Sequence, residues 1–293
     1  DVFDITADML KGIDAVVALA AISNDPMGDL DPALTHKINT AGVMHCAEMA
    51  KSAGVPRFLF ASSCSVYGAQ GDTILDESAA FAPVSAYAES KINTEAELQK
   101  IGDENFAVTS LRNSTAYGQS PRLRTDLAVN NLLAYAVSID EVKLMSDGTS
   151  WRPLAHCRDI ARAFCALSEA PIEDVRGLAV NIGGNVENYQ IRDVAKIVHE
   201  QCAGSQITIA TEAANDPRDY RVSFDLLGKV LPNFELEWNV AKAVKVMFAE
   251  YNARENFKAE FEGGRYTRLV TLQGRLAKGD LPHYFTELSG TQN

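Results

Sequence analysis

The sequence is poor in positive charge, with 27 Lys and Arg against 39 Asp and Glu and a net charge of -12. That balance argues against nucleic acid or an anionic membrane as the main partner, because both select basic surfaces. No apolar run approaches the roughly 20 residues that a spanning helix needs, so no membrane segment is expected. The five cysteines, Cys46, Cys64, Cys157, Cys165 and Cys202, are odd in number and form no CxxC pair. They read as mostly buried thiols of a reducing, cytoplasmic compartment, and no disulfide framework is expected. His36, His45, His156, His199 and His283 have no metal-ligand spacing with one another or with cysteine, and no metal is expected. Internal repeats are absent. No signal peptide is visible and the first residue is Asp1, so the start is expected to have been processed, trimmed or left out.

What is present alternates apolar strands with amphipathic helices. Residues 13–21 (IDAVVALAA) form a short continuous apolar run, as in a strand buried on both faces. A helix follows over 32–53 and stops at Gly54. Strands are predicted at 57–62 and 107–112, and helices at 85–101 and 125–137. This succession implies right-handed βαβ units and a parallel sheet, an α/β fold of the doubly wound Rossmann type. Beyond about residue 118 the pattern loosens. Short strands are expected at 142–145, 152–154, 178–182 and 206–209, with helices at 159–168, 191–201 and 240–251. We divide the chain into a dinucleotide-binding region at 1–118, a smaller mixed α/β substrate region at 119–260, and a tail at 261–293. A dinucleotide-binding sheet normally opens with a strand, a glycine-rich turn and a helix N-terminus. No glycine cluster precedes residue 13. Residues 1–19 read instead as the end of a third strand, a helical turn and a fourth strand, with a unit of roughly 60 residues expected upstream.

Tyr87 and Lys91 are four apart on the helix predicted at 85–101, and so share a face. A phenol near pH 7 is a poor base, and an ammonium one turn away favours its ionised form. Such a pair can exchange a proton with an alcohol while a hydride leaves the carbon. Ser63 lies at the end of a predicted strand, where ligands of open α/β sheets bind. Tyr-x-x-x-Lys alone is a weak motif, but here it stands 24 residues after Ser63, within Ser62-Ser63-Cys64-Ser65-Val66-Tyr67-Gly68. Arg152, Arg218 and Arg221 are candidate phosphate partners, since guanidinium matches phosphate geometry. Arg122 and Arg124 are read as rim or oligomer charges. His156, just ahead of the possible helix cap Asp159, is read as structural, and Cys64 as a passive core thiol.

These segments together resemble the NAD-dependent epimerase/dehydratase family, the extended short-chain dehydrogenases, from residue 1 to about residue 250. Asp1-Val2 is similar to the pair beside the adenine, and Leu19-Ala20-Ala21 to the strand whose backbone passes the cofactor. Asn39 resembles the asparagine behind the active site. SSCSVYG resembles the serine motif, and Tyr87 with Lys91 the catalytic pair. Leu111 to Gly118 resembles the loop over the nicotinamide, with Asn113 and Thr115 in it. Asn130-Asn131-Leu132 and Gly148 to Pro153 are similar to the two segments that meet the substrate diphosphate. The resemblance implies catalytic roles for Ser63, Tyr87 and Lys91. It implies cofactor contacts from Asp1, Val2, Leu19, Ala20, Ala21, Asn39, Ser62, Tyr87, Lys91, Asn113 and Thr115. It implies substrate contacts from Ser63, Asn131, Leu132, Arg152 and Arg218.

The cofactor so implied is NAD, with NADP left open, and the partner a nucleotide-diphosphate sugar bound by a homodimer. Dehydratases of the family carry Asp-Glu where this chain has Cys64 and Ser65, which disfavours 4,6-dehydration. The expectation is 4-epimerisation through a transient 4-keto sugar. Reduction of a 4-keto sugar is the alternative within the class, and a non-catalytic or truncated relative the alternative outside it.

Overall fold

The computed structural model describes residues 1–210 and 218–279. Two short 3-10 turns, Val2–Asp4 and Ala7–Leu10, lead into β1 (Ala15–Ala18), followed by α1 (Asp25–Gly28) and α2 (Pro32–His36). A π-helical turn, Lys37–Ala41, joins α2 to α3 (Gly42–Ser52). Then come β2 (Arg57–Ser63), β3 (Ala69–Leu75), α4 (Ala86–Ile101), β4 (Ala107–Asn113), β5 (Thr115–Tyr117) and α5 (Ala128–Ile139). Next are β6 (Glu141–Leu144), β7 (Trp151–His156), α6 (Cys157–Glu169), α7 (Ile172–Val175), β8 (Leu178–Ile182), β9 (Asn188–Gln190), α8 (Ile191–Gln201) and β10 (Gln206–Ile209). The last are β11 (Asp219–Val222), α9 (Asp225–Val230), α10 (Val240–Ala253), α11 (Phe257–Glu262) and α12 (Arg268–Ala277).

The main sheet is parallel throughout, in the order β1-β2-β4-β8. Strand alternation distributes β2 between two cores. Phe58 and Phe60 pack with Val43, Ala47 and Leu98 from α3 and α4, whereas Leu59 packs on the other face with Phe164 and Leu167 from α6. Helices therefore cover both faces, and the fold is α/β of the doubly wound Rossmann type. A third core joins α5, α8 and α10 across residues 117–266. Among the described residues three small sheets pair β10 with β6, β11 with β3, and β5, β7 and β9 with one another.

Several boundaries differ from the sequence reading. The run at 13–21 yields only four strand residues, because the Leu10 carbonyl holds Ile13 in a turn and Asn39 captures Ile22 beyond the strand. The strand is not buried on both faces: Ile13, Val17 and Leu19 are exposed. No third strand lies in residues 1–12, which form the two 3-10 turns. The helix expected at 32–53 is interrupted by the π turn, which points Asn39 inward. His156 caps α6 by accepting from the Arg158 N–H, so Asp159 is not the cap but a buried first-turn residue accepting from Glu237 and Trp238. Cys165 is exposed, unlike the other thiols.

Behind the strand ends lies a buried polar web. Arg112 on β4 grips Glu95 on α4 through Nη2 to Oε2 at 2.8 Å and through Nε. The Ser62 hydroxyl donates to the same carboxylate. Arg112 also reaches the Tyr67 hydroxyl at 3.0 Å, which donates to Asn181 at 2.8 Å. Both members of the ion pair are buried, so removing one strands the other's charge. Arg112→Met is expected to cost about 3–5 kcal/mol in denaturant unfolding. The double variant Glu95→Leu/Arg112→Met should recover most of that loss. A single variant within about 1 kcal/mol of the parent, the range of an exposed pair, would contradict this account.

Candidate active site

The site forms where β2 and β4 end, with Ser63 and Asn113 as register partners on the neighbouring strands. After Ser63 the chain turns through a 3-10 segment, Cys64–Tyr67, that closes at Gly68. Gly68 has φ of 64°, and a Cβ there would lie 1.7 Å from the Ala82 carbonyl oxygen, so only glycine fits. Helix α4 starts beside this turn. The Ser85 hydroxyl caps it by accepting from the Ala88 N–H, and itself donates to Asp25 on α1. Helix α1 comes so close that a Cβ on Gly28 would stand 3.1 Å from the Tyr87 Cβ.

Ser63, Tyr87 and Lys91 converge. The Lys91 ammonium is buried, donates to the Ala61 carbonyl at 2.7 Å, and lies 4.8 Å from the Phe60 ring centroid and 5.4 Å from that of Tyr87. Burial pulls its pKa down to about 8, with the Glu95 carboxylate acting in the opposite sense. Burial pushes the Tyr87 phenol up to about 12, against a hydrogen bond with Ser63 that favours ionisation. The sequence reading had Lys91 lowering this value. It does not prevail because the ammonium is engaged by the Ala61 carbonyl and approaches the ring, and desolvation dominates.

Other expected positions divide by where their polar atoms go. Ser62 turns its hydroxyl away to Glu95, leaving only its carbonyl to accept from Asn113 Nδ2 at 3.2 Å. Asn39 spends its amide on the Ile22 backbone, at 2.8 and 3.0 Å, and on Ser90. It fastens the segment after β1 to α4. Asp1 caps its own 3-10 turn by accepting from the Phe3 N–H. Val2, Leu19 and Ala20 line an apolar hollow of about 280 Å³ against Gly42 and Cys46, while half-buried Ala21 lies just beyond β1. Cys64 is fully buried, donates to the Arg112 carbonyl, and burial raises its pKa well above the usual thiol range.

Thr115, Asn131, Leu132, Arg152 and Arg218 line one cleft of about 370 Å³. Arg152 is nonetheless buried, donating to the Trp151 and Arg218 carbonyls, so its guanidinium braces the segment that carries Arg218. Arg218 meets Asp25 at 2.8 Å. Arg221 stacks over Trp151. Asn130 closes the loop ahead of α5 by bonding both backbone groups of Gly118. The sequence reading missed Arg124 and Lys143, which also line the cleft. Arg124 had been read as a rim charge, yet it is held inward by Asp126 at 2.6 Å and by Ser23. The signal lies in Asn24, 102 residues from Asp126 in sequence, which donates to that carboxylate. Among the described residues the cleft therefore carries Arg124, Lys143, Arg152 and Arg218 against one lining carboxylate, Asp126, in a chain of charge -12.

A nicotinamide cofactor fits the strand ends. Beside Tyr87 and Lys91, Asn113 presents a buried Oδ1 with no hydrogen-bond partner among the described residues. For the pyrophosphate the fit is poorer, since residues 1–27 hold a single glycine, Gly12, and no glycine-rich strand-to-helix turn. No residue of the chain is assigned to that group.

The chain is also similar to known proteins. The chain is 27% identical over 208 residues to an uncharacterized UDP-glucose epimerase of Bacillus subtilis, covering 69% of this chain and 63% of that protein. It is 25% identical over 189 residues to the UDP-glucuronate 4-epimerase of Thermodesulfobacterium geofontis, covering 64% and 56%. The chain thus spans about three fifths of the length of these curated relatives. Among solved structures, the UDP-glucose 4-epimerase of Thermotoga maritima with UDP-glucose shares the fold at a TM-score of 0.74 and 21% identity, covering 86% of this chain and 84% of that one. Residues 2–183 match the model of a single family, and the chain belongs to the NAD dependent epimerase/dehydratase family.

Proposed function

We propose that the chain modifies a nucleotide-diphosphate sugar, and that the reaction is epimerisation at C4. The observation that carries this reading is the Ser63, Tyr87 and Lys91 cluster at the strand ends of a fold whose neighbouring cleft is lined by Arg124, Lys143, Arg152 and Arg218. NAD, when bound, supplies the hydride acceptor and donor. Tyr87 takes the proton of the C4 hydroxyl and later returns it, while Ser63 shares the hydrogen bond to the same oxygen. Lys91 fixes the phenol's surroundings from beneath. Arg218 and Arg124 supply charge for the diphosphate, with Asn131 at the start of α5 beside them. Cys64 and Ser65 stand where a dehydratase needs an acid and a base. A fully buried thiol that resists ionisation does neither task, so elimination of water is not supported.

The relatives named as UDP-sugar epimerases favour uridine nucleotides as the first substrates to test. The full chain incubated with NAD and UDP-glucose or UDP-glucuronate should equilibrate the C4 epimers, followed by proton NMR. Tyr87→Phe should lower kcat by about 10²-fold or more with the fold intact, as expected for a lost general acid/base. A well-folded Tyr87→Phe with near-parental kcat would remove the assignment. Consumption of a 4-keto sugar with a reduced cofactor, and no epimerisation, would turn the reading to a reductase.

Arg218→Ala should raise KM for the sugar nucleotide by roughly one to two orders of magnitude and leave kcat within a few fold. That range is the worth of a charge-assisted bond of about 1.5–3 kcal/mol. An unchanged KM would place the diphosphate elsewhere.

The depressed Lys91 pKa has a stability consequence with a definite sign. Below about pH 8 the folded chain holds an ammonium out of water that the unfolded chain keeps solvated. Between about 8 and 10.5 the unfolded chain retains a proton that the folded chain has released, so stability rises with pH across that window. Relative to Lys91→Met, the parent should gain up to about 3 kcal/mol between pH 7 and pH 10.5 in urea unfolding. Parallel pH dependences for the two proteins would contradict a buried ammonium.

A further inference from the structure

Beside the cleft, on the far side of Arg268, lies a second hollow of about 270 Å³. Arg122, Arg265, Arg268 and Arg275 line it together with Tyr266 and Thr271, and no carboxylate lines it among the described residues. The two spaces share a wall. Thr267 and Leu269 face the cleft, while Arg268 between them lines the hollow. Arg268 and Arg124 both donate to the Ser23 hydroxyl, at 3.3 and 3.4 Å, which brings two guanidiniums onto one neutral oxygen. The Arg268 Nε is buried and has no hydrogen-bond partner among the described residues. Asp126 offsets Arg124, and Glu260 offsets Arg265 at 2.6 Å. Burial, followed by Arg124 and Arg122, holds the Arg268 pKa below the usual guanidinium range, with Asp126 acting in the opposite sense.

Like charges gathered this way repel, and a chain with twelve excess negative charges has ample carboxylates with which to separate them. Converging arginines with a spare buried donor match an oxyanion, because guanidinium presents donors in a fork that suits phosphate and carboxylate. We infer that the hollow between Arg122 and Arg268 is a second anion site, next to the cleft, that takes an oxyanion of phosphate size. The anion is either free in solution or a charged group carried by the molecule in the cleft. The inference stands on the hollow itself; the sugar-nucleotide reading enters only in separating these two sources.

The test is calorimetric titration of the full chain with inorganic phosphate at constant ionic strength, with and without saturating UDP. One saturable phosphate site should persist under UDP and in Arg218→Ala. Arg268→Ala should weaken it by about ten- to hundredfold, the worth of a charge-assisted contact. If Arg268→Ala does not fold, the exposed Arg122→Ala is expected to weaken the same site. Should UDP displace phosphate, the inference still holds, with the anion on the substrate, if Arg268→Ala weakens UDP-glucuronate but not UDP-glucose. It is overturned if phosphate does not bind, or if phosphate and both sugar nucleotides bind the Arg268 and Arg122 variants as they bind the parent. Failure of UDP to bind at all would count against the cleft reading and leave the phosphate titration able to decide.

Discussion

The Lys91 ammonium is held almost wholly out of water, and the ends of two elements are arranged to keep it there. It donates to the carbonyl of Ala61, two residues before β2 ends, and its flanks lie against Phe60 and Tyr87. A buried charge with so few partners fixes position closely, because any retreat leaves it unsatisfied. That contact sets the rotation and depth of α4 against β2. Tyr87, one turn earlier, is thereby brought to Ser63, and the Ser85 cap ties the helix start to Asp25. Glu95, one turn later, works from behind, where its pair with Arg112 and its bond to Ser62 lock the same helix to β4 and β2.

Charge is distributed unevenly for a chain of this composition. Carboxylates are in excess over the whole sequence, yet arginines gather in the cleft and the hollow beside it. A concave surface lined by one sign of charge concentrates counter-ions and speeds their arrival. Asp126, Asp25 and Glu260 hold individual guanidiniums in place.

The parallel core was legible in sequence because its strands are short apolar runs alternating with amphipathic helices. Strand 178–182 and helix 191–201 fall at the expected residues. Ser63, Tyr87 and Lys91 were legible because helical spacing and a strand end place them without knowledge of tertiary contacts. Other features were hidden for physical reasons. The π turn at Asn39 has no local signature, since it exists to deliver one amide to the Ile22 backbone 17 residues away. Strands β3 and β11 pair across some 150 residues, and β3 (AQGDTIL) lacks the apolar run that marks a buried strand. Arg124 reads as a surface charge until Asp126, Asn24 and Ser23 are seen to draw it inward. The phenol's elevated pKa was missed because desolvation belongs to the fold, whereas the Tyr-Lys spacing shows only the opposing charge.

In the proposed reaction, hydride leaves and returns to one sugar carbon beside Tyr87. UDP-glucose carrying deuterium at C4, turned over by the full chain with NAD in ordinary water, tests it most directly. The C4 epimer should retain the deuterium at C4, with no hydrogen taken from solvent. Loss of that label to water during epimerisation would contradict hydride transfer at C4 and require a proton-abstraction mechanism instead.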